Sequence, residues 1–314
     1  MSDHFDGRRF FNPSGANGQP FWKVPRLLVT RFTRWPSHVP VESRRPPAPG
    51  PDQAVVTFIG HATFLVQGSG GNILIDPVYA RRAGPFSFVG PIRVRAPGVR
   101  FEDLPPIALV LQTHNHYDHC DLRALAQIER RFHPSFVTPL GNARLLRSAG
   151  AARIVELDWW ESTRTGPAGE LSVALTPSQH FSARTPFDRN RALWGGFLVE
   201  VGGRRILHAG DSGYGPHFGE IAARLGPIDL ALLPIGAYEP RWFMKDVHMN
   251  PAEAVQAHLD LGATRSIAMH FGTFQLTPEG IDQPVRDLAR ARQERGVPPE
   301  RFQTIEVGES LRLA

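Results

Sequence analysis

The apolar run Ile107-Ala108-Leu109-Val110-Leu111 passes through Gln112-Thr113 into His114-Asn115-His116-Tyr117-Asp118-His119, which sets three imidazoles and one carboxylate in six positions. A run of five apolar residues reads as a buried strand. The loop leaving it therefore carries polar groups into an apolar interior, where each costs free energy unless it is hydrogen-bonded or held by an ion. Neutral imidazole and carboxylate are the donors that zinc, iron and manganese accept. A metal site accounts for their density, and the bland alternative is a solvated His-rich loop.

The spacing points to two ions. His114 and His116, two apart in extended or turn backbone, point the same way and can share one. Asp118 and His119 follow as the chain turns into a helix and face a second. Further donors stand where such a site needs them, each after an apolar strand. His180 follows Leu171–Thr176, Asp211 follows Arg205–Ala209, and His270 follows Ser266–Met269. Ligands at the ends of successive strands converge on one edge of a layered α/β fold.

This constellation resembles the metallo-β-lactamase superfamily, and further blocks narrow the likeness. Gly60-His61-Ala62-Thr63, Ile75-Asp76-Pro77, Glu156–Glu161, Thr176-Pro177-Ser178-Gln179-His180, Ala209-Gly210-Asp211 and above all Pro234–Lys245 are similar to the N-acyl-phosphatidylethanolamine-hydrolysing phospholipase D family. The likeness runs from about Val55 to His270. It implies an α/β fold, the αββα sandwich of two mixed β-sheets flanked by helices. It also implies two zinc ions per chain, with iron or manganese as chemically admissible substitutes. By resemblance His114, His116 and His180 hold the first ion, Asp118, His119 and His270 the second, and Asp211 bridges them. The implied reaction is hydrolysis of N-acyl-phosphatidylethanolamine to N-acylethanolamine and phosphatidate, by attack of a metal-bound hydroxide on phosphorus. Asp211 would orient the attacking group and carry a proton, and His248 is a candidate donor to the substrate, with a surface histidine as the plain alternative. A metal-dependent hydrolase of a soluble lactone or cyclic phosphodiester is the competing reading. Cys120, Phe181 and Val247 depart from the family's usual residues, and these departures bear on substrate fit.

Composition sets the frame around the site. With 314 residues and 41% apolar content the chain can bury a large core, and folds of this class commonly exceed ~200 residues as one domain. Residues 51–314 read as the catalytic domain, preceded by an arm and Pro-rich linker over 1–50. The single cysteine, Cys120, excludes an intramolecular disulfide and a Cys-rich zinc site; it reads as a small buried residue before a helix. No secretory h-region and no apolar stretch of membrane-spanning length stand in the sequence. A cytoplasmic protein is expected, with peripheral contact at the inner membrane face. The formal charge of +5 favours an anionic partner. A phospholipid is expected rather than nucleic acid, and the family precedent implies a homodimer. Arg8–Phe11, Phe21–Lys23, Arg26–Leu28 and Arg31–Trp35 interleave cations with aromatic and aliphatic residues. Such a segment either lies at a lipid interface or packs the arm onto the domain.

Val55–Ile59, Thr63–Val66 and Asn72–Ile75 read as strands, the last two joined by a glycine hairpin turn at 68–71. Helices are expected over Leu122–Phe132, over Pro139–Ala149, over Pro251–Leu261 capped by Asn250, and over Pro278–Gln293 capped by Thr277. His61 is expected to support the site rather than ligate. Asp76 is expected to orient the motif loop or a metal-bound histidine, or else to cap a turn. His4, His38, His133, His208, His217 and His258 are left as structural or exposed.

Overall fold

The computed structural model describes every residue except Met1, Asn17, Val24, Leu27 to Val29, Arg31, Pro167, Ala168 and Ala314. Leu27, Leu28 and Arg31 of the cation–aromatic segment thus lie outside the described residues.

Two seven-stranded mixed sheets face each other. The first comprises β1 (Ala54–Gly60), β2 (Thr63–Gly68), β3 (Gly71–Ile75), β4 (Leu109–Leu111), β5 (Ser135–Pro139) and β6 (Arg153–Leu157), with β14 (Ser310–Leu313) beside β1. The second runs from β7 (Ser162–Thr165) through β8 (Leu171–Thr176), β9 (Gly196–Val201), β10 (Arg204–His208), β11 (Leu230–Pro234) and β12 (Arg265–Met269) to β13 (Phe302–Gln303). In each sheet an antiparallel half joins a parallel half, β3-β4-β5-β6 in one and β10-β11-β12-β13 in the other.

The period of two along the strands builds the layers. Val56, Phe58, Phe64, Ile73, Ile75, Leu109 and Leu111 point between the sheets and meet Val173, Leu175, Phe197, Ile206, Leu232 and Met269. The alternate set of the first sheet, Leu65, Leu74, Val110 and Phe136, packs outward on Leu125, Ile128 and Leu146, which belong to helices α1 (Leu122–Phe132) and α2 (Ala143–Ser148). The outer face of the second sheet, with Leu207, Ala231 and Leu233, is covered by α3 (His217–Leu225), α5 (Pro251–Leu261) and α6 (Gln283–Arg295); the short α4 (Arg241–Met244) lies between α3 and α5 in the chain. The central strands are buried on both faces, which is why β4 and β11 read as unbroken apolar runs and β1 as one interrupted only by Thr57, whereas the edge strands β6 and β7 are partly exposed.

Local chemistry sets the element ends. Asp121 caps α1 by accepting from the N–H groups of Arg123 and Ala124. Asn250 and Glu253 form a reciprocal capping box with Pro251 in the first turn of α5. The turn at 68–71 is a two-residue hairpin in which Gly68 pairs with Gly71.

Two expected helices are shorter than their sequence pattern. Pro139 stays in β5, and Asn142 donates to the carbonyls of Pro139 and Leu193, so helix begins only at Ala143. The expected helix from Pro278 begins at Gln283 instead. The Pro278 carbonyl accepts from Thr33 N–H of the arm, and Glu279 turns into the interior. Pro284 then occupies the first turn, where its missing N–H costs nothing.

Described residues of the 1–50 arm pack on the domain at several points. Phe10 and Asn12 are buried, and His4 stacks on Trp159 with centroids 4.0 Å apart. The Pro-rich stretch is pinned by Val39 N–H to Val94 and Arg44 N–H to Gly98.

Candidate metal centre

The strand ends that carry His114–His119, His180, Asp211 and His270 meet at one edge of the sandwich, and all seven side chains come together there. In the first group His114 Nε2 lies 3.0 Å from His116 Nδ1, and His180 Nε2 lies 3.2 Å from the same nitrogen. Burial first, then neighbouring imidazoles, push His114 well below its usual range and His116 to about 3. Burial likewise pushes His180 to about 4. Three neutral rings thus point lone-pair nitrogens at one position. Their far sides are fixed: Thr113 Oγ1 lies 3.0 Å from His114 Nδ1, and the Val247 carbonyl lies 3.0 Å from His180 Nδ1.

Asp118, His119 and His270 form the second group, together with His61. His270 Nε2 is 3.3 Å from Asp118 Oδ2, and His61 Nε2 is 3.0 Å from the same oxygen. Asp211 joins the two groups. Its Oδ2 lies 3.2 Å from both His119 Nε2 and His270 Nε2, 3.7 Å from His180 Nε2 and 3.9 Å from His114 Nε2. Burial opposes a charge on His119 and His270, but the facing carboxylates of Asp211 and Asp118 outweigh it, raising His119 and holding His270 at about 9.

The backbone is bent to make this arrangement. His61, Asp76 and His270 all take positive φ, at 58°, 43° and 62°, a conformation that non-glycine residues adopt mostly where surrounding structure imposes it. Two glycines permit the approach of the strand ends. A Cβ on Gly210, beside Asp211, would fall 2.6 Å from the Gly195 carbonyl oxygen, and one on Gly236 would fall 2.1 Å from that of His270.

Asp76 holds the motif loop from beneath. Its Oδ1 accepts from Thr113 N–H at 2.8 Å and Gln112 Nε2 at 3.0 Å; its Oδ2 accepts from Thr113 Oγ1 at 2.5 Å and lies 2.6 Å from His119 Nδ1. It is fully buried and orients both the loop and His119.

His248 is buried at the same edge, with Nε2 3.9 Å from Asp211 and its ring 5.1 Å from that of His180. Burial holds it well below its usual range. Cys120 is buried, and burial pushes its thiol up to about 12, which leaves it neither nucleophile nor donor at neutral pH. His208 and His258 are buried on internal partners, Ala62 O and Ser266 Oγ, and His217 on Ser212 Oγ.

Several contributors carry no signal in the sequence. Gln112 and Thr113 anchor the loop, the Val247 carbonyl orients His180, and Asn12 of the arm donates through Nδ2 to the His180 carbonyl at 2.8 Å. Each acts through backbone or a long-range contact.

A cavity of about 500 Å³ opens over the two groups. His116, Asp118, His180, Asp211 and His248 form its floor, and Phe181, Phe243, Met244, Val247 and Leu276 its apolar wall. Arg184 and Arg189 also line it. Arg184 stacks on Tyr117 and donates to the carbonyls of Asn115 and Cys120, bracing the motif loop; Arg189 lies over Phe181.

The donor set fits metal ions. His119 Nε2, His270 Nε2 and Asp211 Oδ1 are buried with no hydrogen-bond partner among the described residues. Such orphaned groups are costly in an interior, and a cation among them answers the cost. Imidazole and carboxylate suit zinc, iron and manganese alike.

Residues 71–271 match the family described as a beta-lactamase superfamily domain. An uncharacterised protein of Mycobacterium tuberculosis is 40% identical over 243 residues, 76% of this chain and 64% of that protein, so the chain spans less than two thirds of that relative's length. An N-acyl-phosphatidylethanolamine-hydrolyzing phospholipase D of Caenorhabditis elegans is 38% identical over 266 residues, 81% of this chain and 74% of that enzyme. Among solved structures, a metallo hydrolase of the archaeon Ignicoccus hospitalis superposes with a TM-score of 0.61 at 23% identity, covering 83% of this chain and 99% of the other. That last likeness speaks to the fold alone. Among the described residues no helix is long and apolar enough to cross a membrane.

Proposed function

The chain belongs to the beta-lactamase superfamily, in the family of the N-acyl-phosphatidylethanolamine-hydrolysing phospholipases D, and from that premise we propose that it is a dinuclear zinc phosphodiesterase releasing N-acylethanolamine and phosphatidate. The observation that carries the proposal is the floor of the cavity. There one carboxylate, Asp211, lies within 3.9 Å of imidazoles from both ligand groups, beneath an apolar wall.

His114, His116 and His180 would hold one ion and Asp118, His119 and His270 the other, with Asp211 shared. When bound, such a pair supplies Lewis acidity to a phosphoryl oxygen and makes a water acidic near neutral pH. The protein's own groups do the rest. Asp211 would orient the attacking group and carry its proton through Oδ1, which has no hydrogen-bond partner among the described residues, while Oδ2 is the atom on which the two groups converge. His248, kept neutral by burial, offers an N–H to a phosphate oxygen without adding a charge to the floor. Arg184 and Arg189 place positive potential beside the anionic diester. Phe181, Phe243, Met244, Val247 and Leu276 take up acyl-chain surface and exclude water, in a volume within the usual range for ligand sites.

The surroundings of the mouth support a substrate drawn from a lipid surface. Phe187 and Trp242, next in sequence to the lining residues Pro186 and Phe243, are exposed, as is Trp22 of the arm. Arg26 lies 4.5 Å over the Trp242 ring. Exposed aromatics with adjacent cations match the headgroup region of a bilayer.

Zinc-loaded protein incubated with N-acyl-phosphatidylethanolamine vesicles, beside Asp211→Asn, tests the proposal through mass spectrometry of the products. N-acylethanolamine and phosphatidate from the wild type alone are expected. No product from protein shown to carry about two metals per chain would reject this substrate and favour a soluble ester or cyclic phosphodiester.

A further inference from the structure

His270 differs from its neighbours in how its ring is held. The far nitrogens of His114, His119 and His180 face Thr113 Oγ1, Asp76 Oδ2 and the Val247 carbonyl. The Nε2 of His270 faces Asp118 and Asp211. Its Nδ1, on the other side of the ring, is buried with no hydrogen-bond partner among the described residues. Backbone at φ 62° accompanies the ring's direction, and among the described residues no side chain hydrogen-bonds its Nδ1. An unheld donor beside a metal site is an anomaly, because ligating histidines almost always give their other N–H to an acceptor.

A second orphan lies nearby. Glu279 is buried, with 4% of its surface exposed. Its Oε1 accepts from Tyr238 N–H at 3.3 Å, while its Oε2 has no hydrogen-bond partner among the described residues. Burial raises its pKa, opposed by Thr277 and by the backbone of Glu279, Ala237 and Glu239. His270 and Glu279 line one small cavity of about 10 Å³, walled by Trp35, Phe271, Phe274 and Pro284. That is the room one water needs, and the site offers it polar partners on two sides.

We infer that a single buried water links His270 to Glu279, accepting from His270 Nδ1–H and donating to Glu279 Oε2, and so makes Glu279 a positioning residue for the second metal. The linkage completes for His270 what Asp76 does directly for His119. It also joins the metal edge to the Ala237–Glu239 turn through the Tyr238 N–H, and to the arm through Trp35, whose Nε1 donates to the Glu279 carbonyl at 2.8 Å. It rests on the proposed reading only in taking His270 to face a metal, and not on any substrate.

A high-resolution crystal structure and zinc titration by chelator competition test it together. The crystal should show one water within hydrogen-bond distance of both atoms. Glu279→Gln keeps an acceptor and should hold both ions nearly as the wild type does. Glu279→Leu removes it and should weaken one of the two ions by about 10–100-fold while leaving the other, held by His114, His116 and His180, unchanged. In the zinc-loaded wild type the Nδ1 proton of His270 should be slow to exchange in the proton NMR spectrum, and that protection should vanish in Glu279→Leu. A merely structural glutamate would lower the melting temperature in both variants and spare the difference between the ions. An empty cavity, a direct Glu279–His270 contact, or equal zinc binding by folded Glu279→Leu would overturn the inference. Wild-type protein that binds no zinc would instead overturn the reading of the site.

Discussion

Asp76→Asn is the sharpest perturbation that the centre permits, because it changes one atom and one charge in a fully buried position. Oδ2 of Asp76 faces His119 Nδ1 at 2.6 Å and Thr113 Oγ1 at 2.5 Å, while Oδ1 receives Thr113 N–H and Gln112 Nε2. The amide oxygen of asparagine can replace Oδ1, which leaves its NH₂ facing Thr113 and His119. The threonine hydroxyl can rotate, so that its oxygen accepts from the amide NH₂ as well as from His114 Nδ1–H, 3.0 Å away. The imidazole has no such freedom. It relieves the donor–donor clash only by moving its proton to Nε2, the atom 3.2 Å from Asp211 that faces the metal position. Either the clash or the wrong tautomer then costs about 1–3 kcal/mol, which corresponds to roughly 10–100-fold in affinity. Chelator competition should show one zinc weakened by that factor and the ion of the three-histidine group little changed, with circular dichroism confirming the fold. Two ions held within about threefold of wild type, a difference under ~1 kcal/mol, would refute the argument that Asp76 sets the His119 tautomer.

Metal binding should release protons: burial lowers His270 and His119, but Asp211 and Asp118 outweigh it and hold His270 at about 9 and His119 above its usual range. Affinity should therefore fall as pH drops from 9 toward 6, and calorimetric enthalpies should vary with buffer ionisation enthalpy; buffer-independent heats would contradict this. Cys120, with its thiol at about 12 and 1% exposed, should resist iodoacetamide in the native protein at pH 8 and react fully in denaturant. Asn12→Ala should leave the buried His180 carbonyl without its arm partner, at about 1–3 kcal/mol, read as a lower melting temperature and weaker zinc retention. Replacing the exposed Trp22 with alanine should lower vesicle binding and leave both the melting temperature and hydrolysis of a soluble diester unchanged.

Two kinds of information decide what could be read from the chain. Features fixed by neighbours in sequence were legible. Leu122–Phe132 has an Asp cap and an apolar stripe, Pro251–Leu261 has a capping box, and the glycines at 68–71 require a hairpin. The meeting of His114, His116, Asp118, His119, His180, Asp211 and His270 at one edge was legible too, since each follows an apolar strand and such strand ends can converge in a layered α/β fold. What failed depended on distant partners. Thr33 takes the Pro278 carbonyl and Glu279 turns inward, so the last helix starts at Gln283. Pro139 is claimed by the β5–β6 ladder before it can open a helix. Gln112, the Val247 carbonyl, Asn12 and Glu279 support the ligands through contacts whose residue types carry no signature.

The arm shows why the sequence left its own role open between lipid binding and packing. It does structural work at both flanks of the centre: Asn12 reaches the His180 carbonyl on one side, and Trp35 reaches the Glu279 carbonyl on the other. Trp22, between these anchors, is 78% exposed. Packing and surface presentation are thus divided among residues of one segment, and no property of the whole segment can distinguish them. Removing residues 1–35 would withdraw the support of His180 and the contact to Glu279 together with the exposed aromatics. Lost activity on vesicles would then report weakened metal binding as readily as a lost lipid contact. The two causes separate only at single residues, where Asn12→Ala acts on the metal whatever the substrate and Trp22→Ala acts on the vesicle whatever the metal.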